Sequence, residues 1–401
     1  MPQTAEVAAY YDPYDVDINR DPYPSFKALR DESPIYYNDV HDFWALSRFE
    51  DIDRALRDHE TFISGRGGIL ELIKQGIQMP PGILIFEDPP THTVHRRLLS
   101  RVFTPKRVAE LEPKVREFCV QSLEPFVGEE DFDFIAHLGA QVPMKTISML
   151  LGIPEADQEF VRDKVDRSLR TEAGKPMEIS ENFVSGQMFA DYIDWRAKNP
   201  SDDIMTDLLN ATFEDETGSV RSLSRDEILT YVNVIAGAGN ETTNRLIGWT
   251  AKVLSDHPAA RRELAADPSL IPNGIEEVLR FEPPAPHVGR CVSSDVEIHG
   301  QTVPEGAAVL LLLGSGNRDE RVFPDADTFD IHRNIAQMLT FGYGIHFCLG
   351  ANLARMEGRV AFEEVLTRFP DWRIDAERAV LSNTSTVRGW DSLPAKLGAT
   401  D

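Results

Sequence analysis

Cysteine is scarce in this sequence. The 401 residues include three cysteines, Cys119, Cys291 and Cys348, which are widely spaced and odd in number. This count excludes a disulfide framework. No Cys-x-x-Cys pair occurs, so a structural zinc site is not expected either. We therefore expect a fold that is stabilised by its hydrophobic core rather than by covalent or metal cross-links.

Long apolar runs are also missing. The longest, "AAVLLLLG", is far shorter than the roughly 20 residues that span a bilayer. The first residues, "MPQTAEVAAYYDPYDVD", lack the basic segment and the apolar run of a signal peptide. The sequence therefore predicts a cytoplasmic protein without a membrane partner.

Positive charge is in deficit. The formal net charge is −25 and the isoelectric point is near 4.8, so the surface repels phosphate backbones and nucleic acid is not expected as a partner. The composition, 42% hydrophobic and 27% charged, is that of an ordinary globular protein. No linker, repeat or low-complexity tract divides the chain. We expect a single domain over residues 1–401.

Helical periodicity runs through most of the chain. Two patches have the β-branched and aromatic residues of strands around turn signals: "PIYYNDVHDFWALSRF" near the N-terminus and "SDVEIHGQTVPEGAAVLLLL" in the last third. The predicted fold class is mainly α with small β-sheets.

One predicted helix is unusually long. Ser224 and Glu227 form a capping-box pattern, and no proline follows until Pro258, so the helix extends over about 33 residues, or roughly 50 Å. A helix of this length must pass through the core. Its centre reads "AGAGNETT", small residues followed by an acid and a hydroxyl. This pattern favours a flat group against the helix beside a polar notch; the alternative is a glycine kink on a solvated face.

The stretch "FGYGIHFCLG" places Cys348 shortly before a helix predicted from "LGANLARMEGRVAFEEVL". A helix N-terminus stabilises a thiolate, and the glycines let a planar group approach the backbone. Axial ligation of haem iron needs this arrangement. A buried structural cysteine is the alternative, and Cys348 alone leaves both interpretations open.

The whole stretch resembles the haem-binding signature of the cytochromes P450, F-G-x-G-x-H-x-C-x-G, with histidine where the family usually has arginine. The matching residues, which the resemblance makes cofactor-binding, are Phe341, Gly342, Gly344, His346, Cys348 and Gly350. The resemblance implies the cytochrome P450 fold and haem b, with the Cys348 thiolate as the axial ligand of the iron.

Two further motifs are similar to those of the family. "EDPPTHTVHRRLLSRVFTP" looks like the helix that binds the haem propionates, through His92 and Arg96. Their i,i+4 spacing places both on one helical face. Arg290 in "PHVGR" falls where the family places another propionate ligand. Each of the three residues, taken alone, is also compatible with an ordinary ion pair.

The stretch "EEVLR" matches the family's E-x-x-R motif with Glu277 and Arg280, and Arg333 in "FDIHRN" completes the family's usual buried triad. The role that the resemblance implies for these residues is structural rather than chemical, and removal of one partner is expected to be strongly destabilising.

The resemblance also maps "AGNETT" onto the oxygen-activation motif. Ala238 and Gly239 would then face the haem. Thr242 would form a hydrogen bond to dioxygen or to a water, and Glu241 would relay protons from solvent. Electrons must come from outside, and soluble bacterial members usually receive them from a ferredoxin and its reductase.

A local basic patch on this acidic chain is a candidate surface for an acidic redox partner. Its residues are Arg96, Arg97, Arg101, Lys106, Arg107, Arg355 and Arg359. A salt-bridged surface face is the alternative.

The segment "SGRGGILELIKQGIQMPPGILIF" corresponds to the family's variable loop over the haem and, with "PPAPHV", is rich in apolar residues. This composition favours a hydrophobic substrate such as a terpenoid, a steroid or a fatty acyl compound. His287 either orients a polar group or is satisfied within the protein. The expected function is an oxygen-dependent monooxygenase, acting as a monomer. The alternatives are a peroxide-driven or isomerising haem-thiolate enzyme and a binding or sensing protein without turnover.

Overall fold

The computed structural model describes residues 9–77, 79, 81–178, 186–384 and 386–398. Residues 1–8, which form part of the start examined for a signal peptide, lie outside this set. Helices dominate the described part of the chain. The α-helices are α1 (Val16–Arg20), α2 (Tyr23–Glu32), α3 (Phe49–Arg57), α4 (Leu70–Gln75), α5 (Thr91–Ser100), α6 (Pro105–Leu123), α7 (Val142–Leu151), α8 (Gln158–Leu169), α9 (Ala190–Arg196), α10 (Ile204–Asn210), α11 (Arg225–Asp256), α12 (Pro258–Ala266), α13 (Ile271–Phe281), α14 (Leu313–Gly316) and α15 (Ala351–Arg368).

The strands are short and form one larger sheet and several small ones. They are β1 (Ile35–Asn38), β2 (Phe43–Leu46), β3 (Phe62–Ile63), β4 (Asp131–Asp133), β5 (Thr212–Glu214), β6 (Val220–Ser222), β7 (Val288–Val292), β8 (Val296–Ile298), β9 (Gln301–Val303), β10 (Ala308–Leu311), β11 (Trp372–Ile374), β12 (Val380–Leu381), β13 (Trp390–Ser392) and β14 (Pro394–Leu397). The predicted mainly α architecture with small sheets is confirmed.

Both predicted strand patches contribute to a single five-stranded sheet with the order β1-β2-β10-β7-β3. The link between them is the parallel pairing of β2 with β10, in which Trp44 lies opposite Val309. The local pattern of each patch predicts its strands, whereas their pairing is a contact between distant parts of the chain.

The long helix α11 begins as the sequence predicts. The Ser224 side chain accepts a hydrogen bond from the Glu227 backbone N–H at 3.2 Å, and the Glu227 carboxylate accepts one from the Ser224 N–H at 2.7 Å. The helix has 32 residues, is buried along most of its length, and packs against α7, α13 and α15. It is therefore the central element on which the neighbouring helices are placed.

The E-x-x-R motif on α13 forms a cluster of paired charged side chains together with Arg333. We call Glu277, Arg280 and Arg333 the EXXR cluster. The Arg280 Nε and Nη2 atoms each lie 2.7 Å from the Glu277 carboxylate, and both side chains are 0% exposed. Arg333 donates to Glu277 at 3.2 Å, and Arg280 also donates to the carbonyl oxygens of Asn317 and Ala326. The predicted triad is confirmed as a buried and well-paired cluster.

Within the described ranges, no helix has both the length and the apolarity to cross a membrane. That residues 1–401 form a single domain stays a prediction.

Candidate functional site

The loop around Cys348 folds back on itself immediately before α15. The Cys348 N–H donates to the Phe341 carbonyl at 2.8 Å, and Gly342 and Gly344 have left-handed φ angles of 66° and 68°. A Cβ on Gly344 would lie 2.8 Å from the Leu56 carbonyl oxygen. The glycines therefore permit a turn that residues with side chains rarely adopt.

The Cys348 thiol is accessible within this loop, whereas Cys119 and Cys291 are buried. Even so, protein surrounds Cys348 closely enough for burial to raise the pKa of the thiol. A hydrogen bond from the Gly350 backbone and the charges of Arg96 and Arg355 act in the opposite direction. An accessible thiol in largely buried surroundings lies in a recess of the protein. A Cβ added to Gly350 would meet no atom within 4 Å, so this glycine also borders open space.

The predicted propionate ligands converge on one place, and we call them the cationic cluster: His92, Arg96, Arg290 and His346. The rings of His92 and His346 have centroids 4.4 Å apart. Burial, followed by the charge of Arg96, lowers the pKa of His92 to about 4. Burial, followed by Arg290 and the other cationic neighbours, lowers the pKa of His346 to about 2. The surroundings of both rings therefore oppose further positive charge.

No ion pair within the described part of the chain neutralises the cationic cluster. Neither Arg96 nor Arg290 forms an ion pair there, and burial lowers the pKa of Arg290 to about 10. Both ring nitrogens of His92 and the Nε2 atom of His346 are buried without a hydrogen-bond partner. The carboxylate of Asp88, which counteracts the shift at Arg290, already accepts from the backbone N–H groups of Ser64 and Gly65. A site of this chemistry fits an anionic group, and the two carboxylates of haem suit it.

The centre of α11 is the second part of the predicted site. Ala238 is exposed and Thr242 is partly exposed, although Ala236 and Glu241 beside them are buried. Leu349, which follows Cys348, packs on the large hydrophobic cluster to which Ala236 also belongs. The Thr242 Oγ1 atom donates to the Ala238 carbonyl at 2.9 Å. An exposed strip on a core helix is what a flat ligand requires.

Gly239 has an additional role that the sequence does not reveal. A Cβ there would lie 2.8 Å from Ile147 Cδ1 on α7. The absence of a side chain therefore allows α7 and α11 to approach each other. That Gly239 also faces the cofactor stays a prediction.

Glu241 is not a free solvent-facing acid. Its Oε1 atom lies 2.7 Å from Arg245 Nη2, and the two side chains are 3% and 2% exposed. Sequence reasoning overlooked Arg245, although its i,i+4 spacing from Glu241 was available as a signal.

Glu357 on α15 was also overlooked. Its carboxyl group is buried, interacts with the Thr146 and Thr243 side chains, and has one oxygen without a hydrogen-bond partner. Burial raises its pKa to about 8, and the two threonine hydroxyls oppose this shift. Only an acid at helical spacing after Cys348 marked the position, and nothing in the sequence identified its neighbours.

A further pair supports the helix that bears His92 and Arg96. His95 Nδ1 lies 2.8 Å from both carboxylate oxygens of Glu87, and Glu87 also accepts from the Gly82 N–H. Both side chains are buried. The pair ties α5 to the segment before it.

Arg96 belongs to the cationic cluster, and the other six members of the basic patch divide into two groups. Most of its members have acidic partners: Arg107 with Asp207, Lys106 with Glu110, Arg355 with Glu276, and Arg359 with Glu112 and Glu363. Arg97 and Arg101 are exposed and form no ion pair within the described residues. The salt-bridged alternative therefore holds for the first group, and two unpaired surface cations remain beside the site.

The apolar segment before α5 is only partly available as a lining. Leu72, Ile83 and Phe86 are buried against one another, whereas Ile85 is 52% exposed; residues 78 and 80 of this segment lie outside the described ranges. His287 accepts or donates one hydrogen bond with the Tyr11 hydroxyl at 3.0 Å. The interpretation of His287 as a satisfied histidine is therefore favoured.

The family model described as "Cytochrome P450" matches residues 177–389. A protein named "Putative cytochrome P450 123" from Mycobacterium tuberculosis is 36% identical over 394 residues, which cover 97% of each chain.

Solved structures agree over nearly the whole length. The structure of cytochrome P450 CYP109Q5 from Chondromyces apiculatus has a TM-score of 0.86 at 32% identity and covers 97% of this chain and 98% of that one. The crystal structure of CYP109E1 from Bacillus megaterium in complex with testosterone has a TM-score of 0.84 at 28% identity and covers 96% and 99%.

Proposed function

The chain belongs to the cytochrome P450 family, and from that premise we propose that it is a monooxygenase of a hydrophobic small molecule that receives electrons from an external ferredoxin system. The family's members are haem-thiolate proteins, so the cofactor is haem with its iron bound to a cysteine thiolate. The proposal concerns the residues that perform these roles, the class of substrate and the electron donor.

One observation carries the assignment of the cofactor site. An accessible cysteine in a glycine-rich loop lies beside a cationic cluster that forms no ion pair among the described residues and contains buried ring nitrogens without a hydrogen-bond partner there. Cys348 would hold the iron, and the cationic cluster would hold the propionates. Phe341, Gly342 and Gly350 would border the ring. When bound, haem with a thiolate ligand supplies the activation of dioxygen.

Glu241 and Thr242 on α11 would transfer protons. The Thr242 hydroxyl can leave the Ala238 carbonyl and donate to a bound ligand, because this i−4 hydrogen bond is weak and local. Glu241 Oε2, which is buried and has no hydrogen-bond partner in the described residues, would accept a proton and pass it towards Thr242. Neither residue is expected to contribute to retention of the cofactor.

A hydrophobic substrate is supported by the apolar residues around the site. Ile85 is exposed beside a cluster that includes Leu72 and packs against Val234 of α11. The testosterone complex of a structural neighbour makes a steroid the first candidate class, ahead of terpenoid and fatty acyl compounds. Testosterone, camphor and palmitoleic acid, titrated separately, test the three classes by the spin-state change of the haem spectrum. A response to none of them, together with one to a polar ligand, would remove the hydrophobic assignment.

Arg97 and Arg101 would face the ferredoxin, since their charge is not neutralised within the described protein. We also propose that the protein is monomeric and cytoplasmic, in line with its strongly acidic surface. Sedimentation of the purified haem protein tests the first of these statements.

The carbon monoxide difference spectrum of the reduced protein is the decisive experiment for the cofactor site. A strongly red-shifted Soret band is expected, and Cys348→Ala should abolish it. Cys119→Ala and Cys291→Ala serve as matched controls, because both thiols are buried elsewhere, and they should retain the band. A red-shifted band in Cys348→Ala would overturn the assignment.

Turnover separates the remaining alternatives. A monooxygenase consumes NAD(P)H and oxygen through the ferredoxin system. Product formation that needs only peroxide would instead favour a peroxide-driven enzyme. Binding without any electron consumption would favour a non-catalytic role.

A further inference from the structure

We propose that Arg245, anchored by the C-terminal hairpin, is the positioning residue for Glu241 and keeps that acid ionised and in place between proton transfers. The C-terminal hairpin is defined as β12, β13 and the described residues between them. The inference rests on the proposed function, because it assigns to Arg245 a part in the proton supply by Glu241.

The ion pair is almost fully enclosed. Arg245 Nη2 and Glu241 Oε1 are 2.7 Å apart, with side chains 2% and 3% exposed. A buried carboxylate without a cation is strongly disfavoured, so loss of the guanidinium would favour protonation of Glu241. The Oε2 atom of Glu241 has no hydrogen-bond partner among the described residues. One oxygen is therefore held while the other stays available to a proton.

Arg245 is itself held by the hairpin. Its Nη2 atom donates to Ser382 Oγ at 3.1 Å, and its Nη1 atom donates to the Trp390 carbonyl. A Cβ on Gly389 would lie 2.5 Å from Arg245 Cδ, so a glycine is needed for the hairpin to lie this close. The position of the guanidinium, and through it of Glu241, therefore depends on a segment far along the chain.

Charges of alternating sign continue from Arg245 to the surface. Asp391 Oδ1 lies 3.5 Å from Arg245 Nη1, and Asp391 Oδ2 lies 2.6 Å from Arg170 Nη1. The Asp391 and Arg170 side chains are 20% and 48% exposed. Arginine does not release its proton in proteins. Arg245 therefore positions Glu241 and carries no proton, and the proton that Glu241 passes on is replaced from water.

The first test is infrared spectroscopy of the ferric haem protein at neutral pH. Arg245→Gln should gain a protonated-carboxyl band that is absent from the wild type and from the Glu241→Gln/Arg245→Gln double variant. Any band from Glu357 is common to all of these proteins and cancels in the difference. Absence of the new band from an Arg245→Gln protein with normal haem content would overturn the proposal.

The second test measures peroxide released per NADH consumed, with ferredoxin and its reductase and no added substrate. Glu241→Gln and Arg245→Gln should change this ratio in the same direction and by a similar factor of several-fold. The double variant should match Glu241→Gln, since Arg245 acts through that acid. Additive effects would show a role independent of Glu241 and would overturn the proposal.

A milder variant covers the case in which Arg245→Gln fails to fold. Ser382→Ala removes one acceptor of Arg245 and should shift the peroxide ratio in the same direction by a smaller factor. Ser392→Ala is the matched control, because that hydroxyl lies on the same hairpin but donates to Asp133 at 2.6 Å. Equal behaviour of the two serine variants would contradict the proposal. If the protein reduces no oxygen at all, the proposed function fails, whereas the infrared result still decides the role of Arg245.

Discussion

Two buried clusters of this protein contain arginine, and they differ in whether the arginines have acidic partners. In the EXXR cluster, the Glu277 carboxylate meets both Arg280 and Arg333, and backbone carbonyls accept the remaining Arg280 contacts. In the cationic cluster, neither Arg96 nor Arg290 forms an ion pair in the described part of the chain, and the nearby Asp88 carboxylate accepts from backbone N–H groups instead. The first cluster is complete without a ligand, and the second is not.

The comparison distinguishes charged residues that stabilise the fold from charged residues that bind a ligand. Desolvation of an ion is unfavourable in both places. Where the protein supplies the counter-charge, the charge stabilises the fold. Where it does not, the unfavourable energy is relieved only by an anionic ligand, and the residues are retained for binding. The two clusters should therefore respond in opposite ways to neutralisation.

The largest effect is expected from Glu277→Gln. It leaves the fully buried Arg280 and the mostly buried Arg333 without their carboxylate, so the free energy of unfolding should fall by about 3–5 kcal/mol. Denaturant unfolding of the haem protein measures this. Glu276→Gln is the matched control, since its partner Arg355 is 33% exposed, and it should change stability by less than about 1 kcal/mol. A similar change in both variants would break the comparison.

Glu357 sharpens the comparison, because it is a buried acid that pairs with no cation among the described residues. Its folded-state pKa of about 8 lies above the ordinary value of 4.5, so the folded state holds a proton that the unfolded state releases between these pH values. Stability should therefore fall as the pH rises through this window, by up to about 5 kcal/mol. Glu357→Gln should flatten the dependence in denaturant unfolding at several pH values, and Glu363→Gln should not. An unchanged slope in Glu357→Gln would contradict the prediction.

Arg290→Leu should weaken haem binding without destabilising the fold, which is the opposite of the effect expected from Glu277→Gln. Haem transfer to apomyoglobin should accelerate by about 10–100-fold, the equivalent of one lost charge-assisted hydrogen bond of about 1.5–3 kcal/mol, while unfolding of the haem-free protein is unchanged or less favourable. Arg261→Leu is the control, because Arg261 is 2% exposed but donates to the Trp372 carbonyl and to Asp371. It should destabilise the fold without faster haem transfer. The reverse pattern would refute the distinction between the clusters.

The smallest effect is expected at the surface. Arg101→Glu should slow reduction by ferredoxin several-fold at low ionic strength, and the difference should shrink as salt is added. Arg378, which is 58% exposed and paired with Asp131, provides the control Arg378→Glu. Equal slowing in both variants would mean that net charge, rather than this location, determines the rate.

Features that depend on local sequence pattern could be predicted from the sequence. The capping box that begins α11 and strands β1, β2 and β10 of the main sheet follow from neighbours in the chain, whereas β3 and β7 of that sheet were not predicted. Contacts between residues that are far apart in the sequence could not be predicted. Ser382 lies 137 residues beyond Arg245, its hydrogen-bond partner. The sequence around either residue does not indicate this contact.

The limits of the site prediction have the same origin. The resemblance led to His92, Arg96, Arg290 and His346, and the structure brings them together. It gave Glu241 a role but no partner, because a motif records which residues recur and not which charge faces them. The environment of Glu357 was likewise beyond reach, since burial of an acid is decided by three helices at once.

The contact between the hairpin and α11 also matters for protein engineering. Trp249 Nε1 donates to the Arg388 carbonyl at 2.8 Å, and Arg245 bonds to the Trp390 carbonyl close by. A grafted hairpin without a glycine at position 389 would place a Cβ 2.5 Å from Arg245 Cδ and displace that side chain. Chimeras of this protein should therefore exchange the hairpin and the second half of α11 as one module.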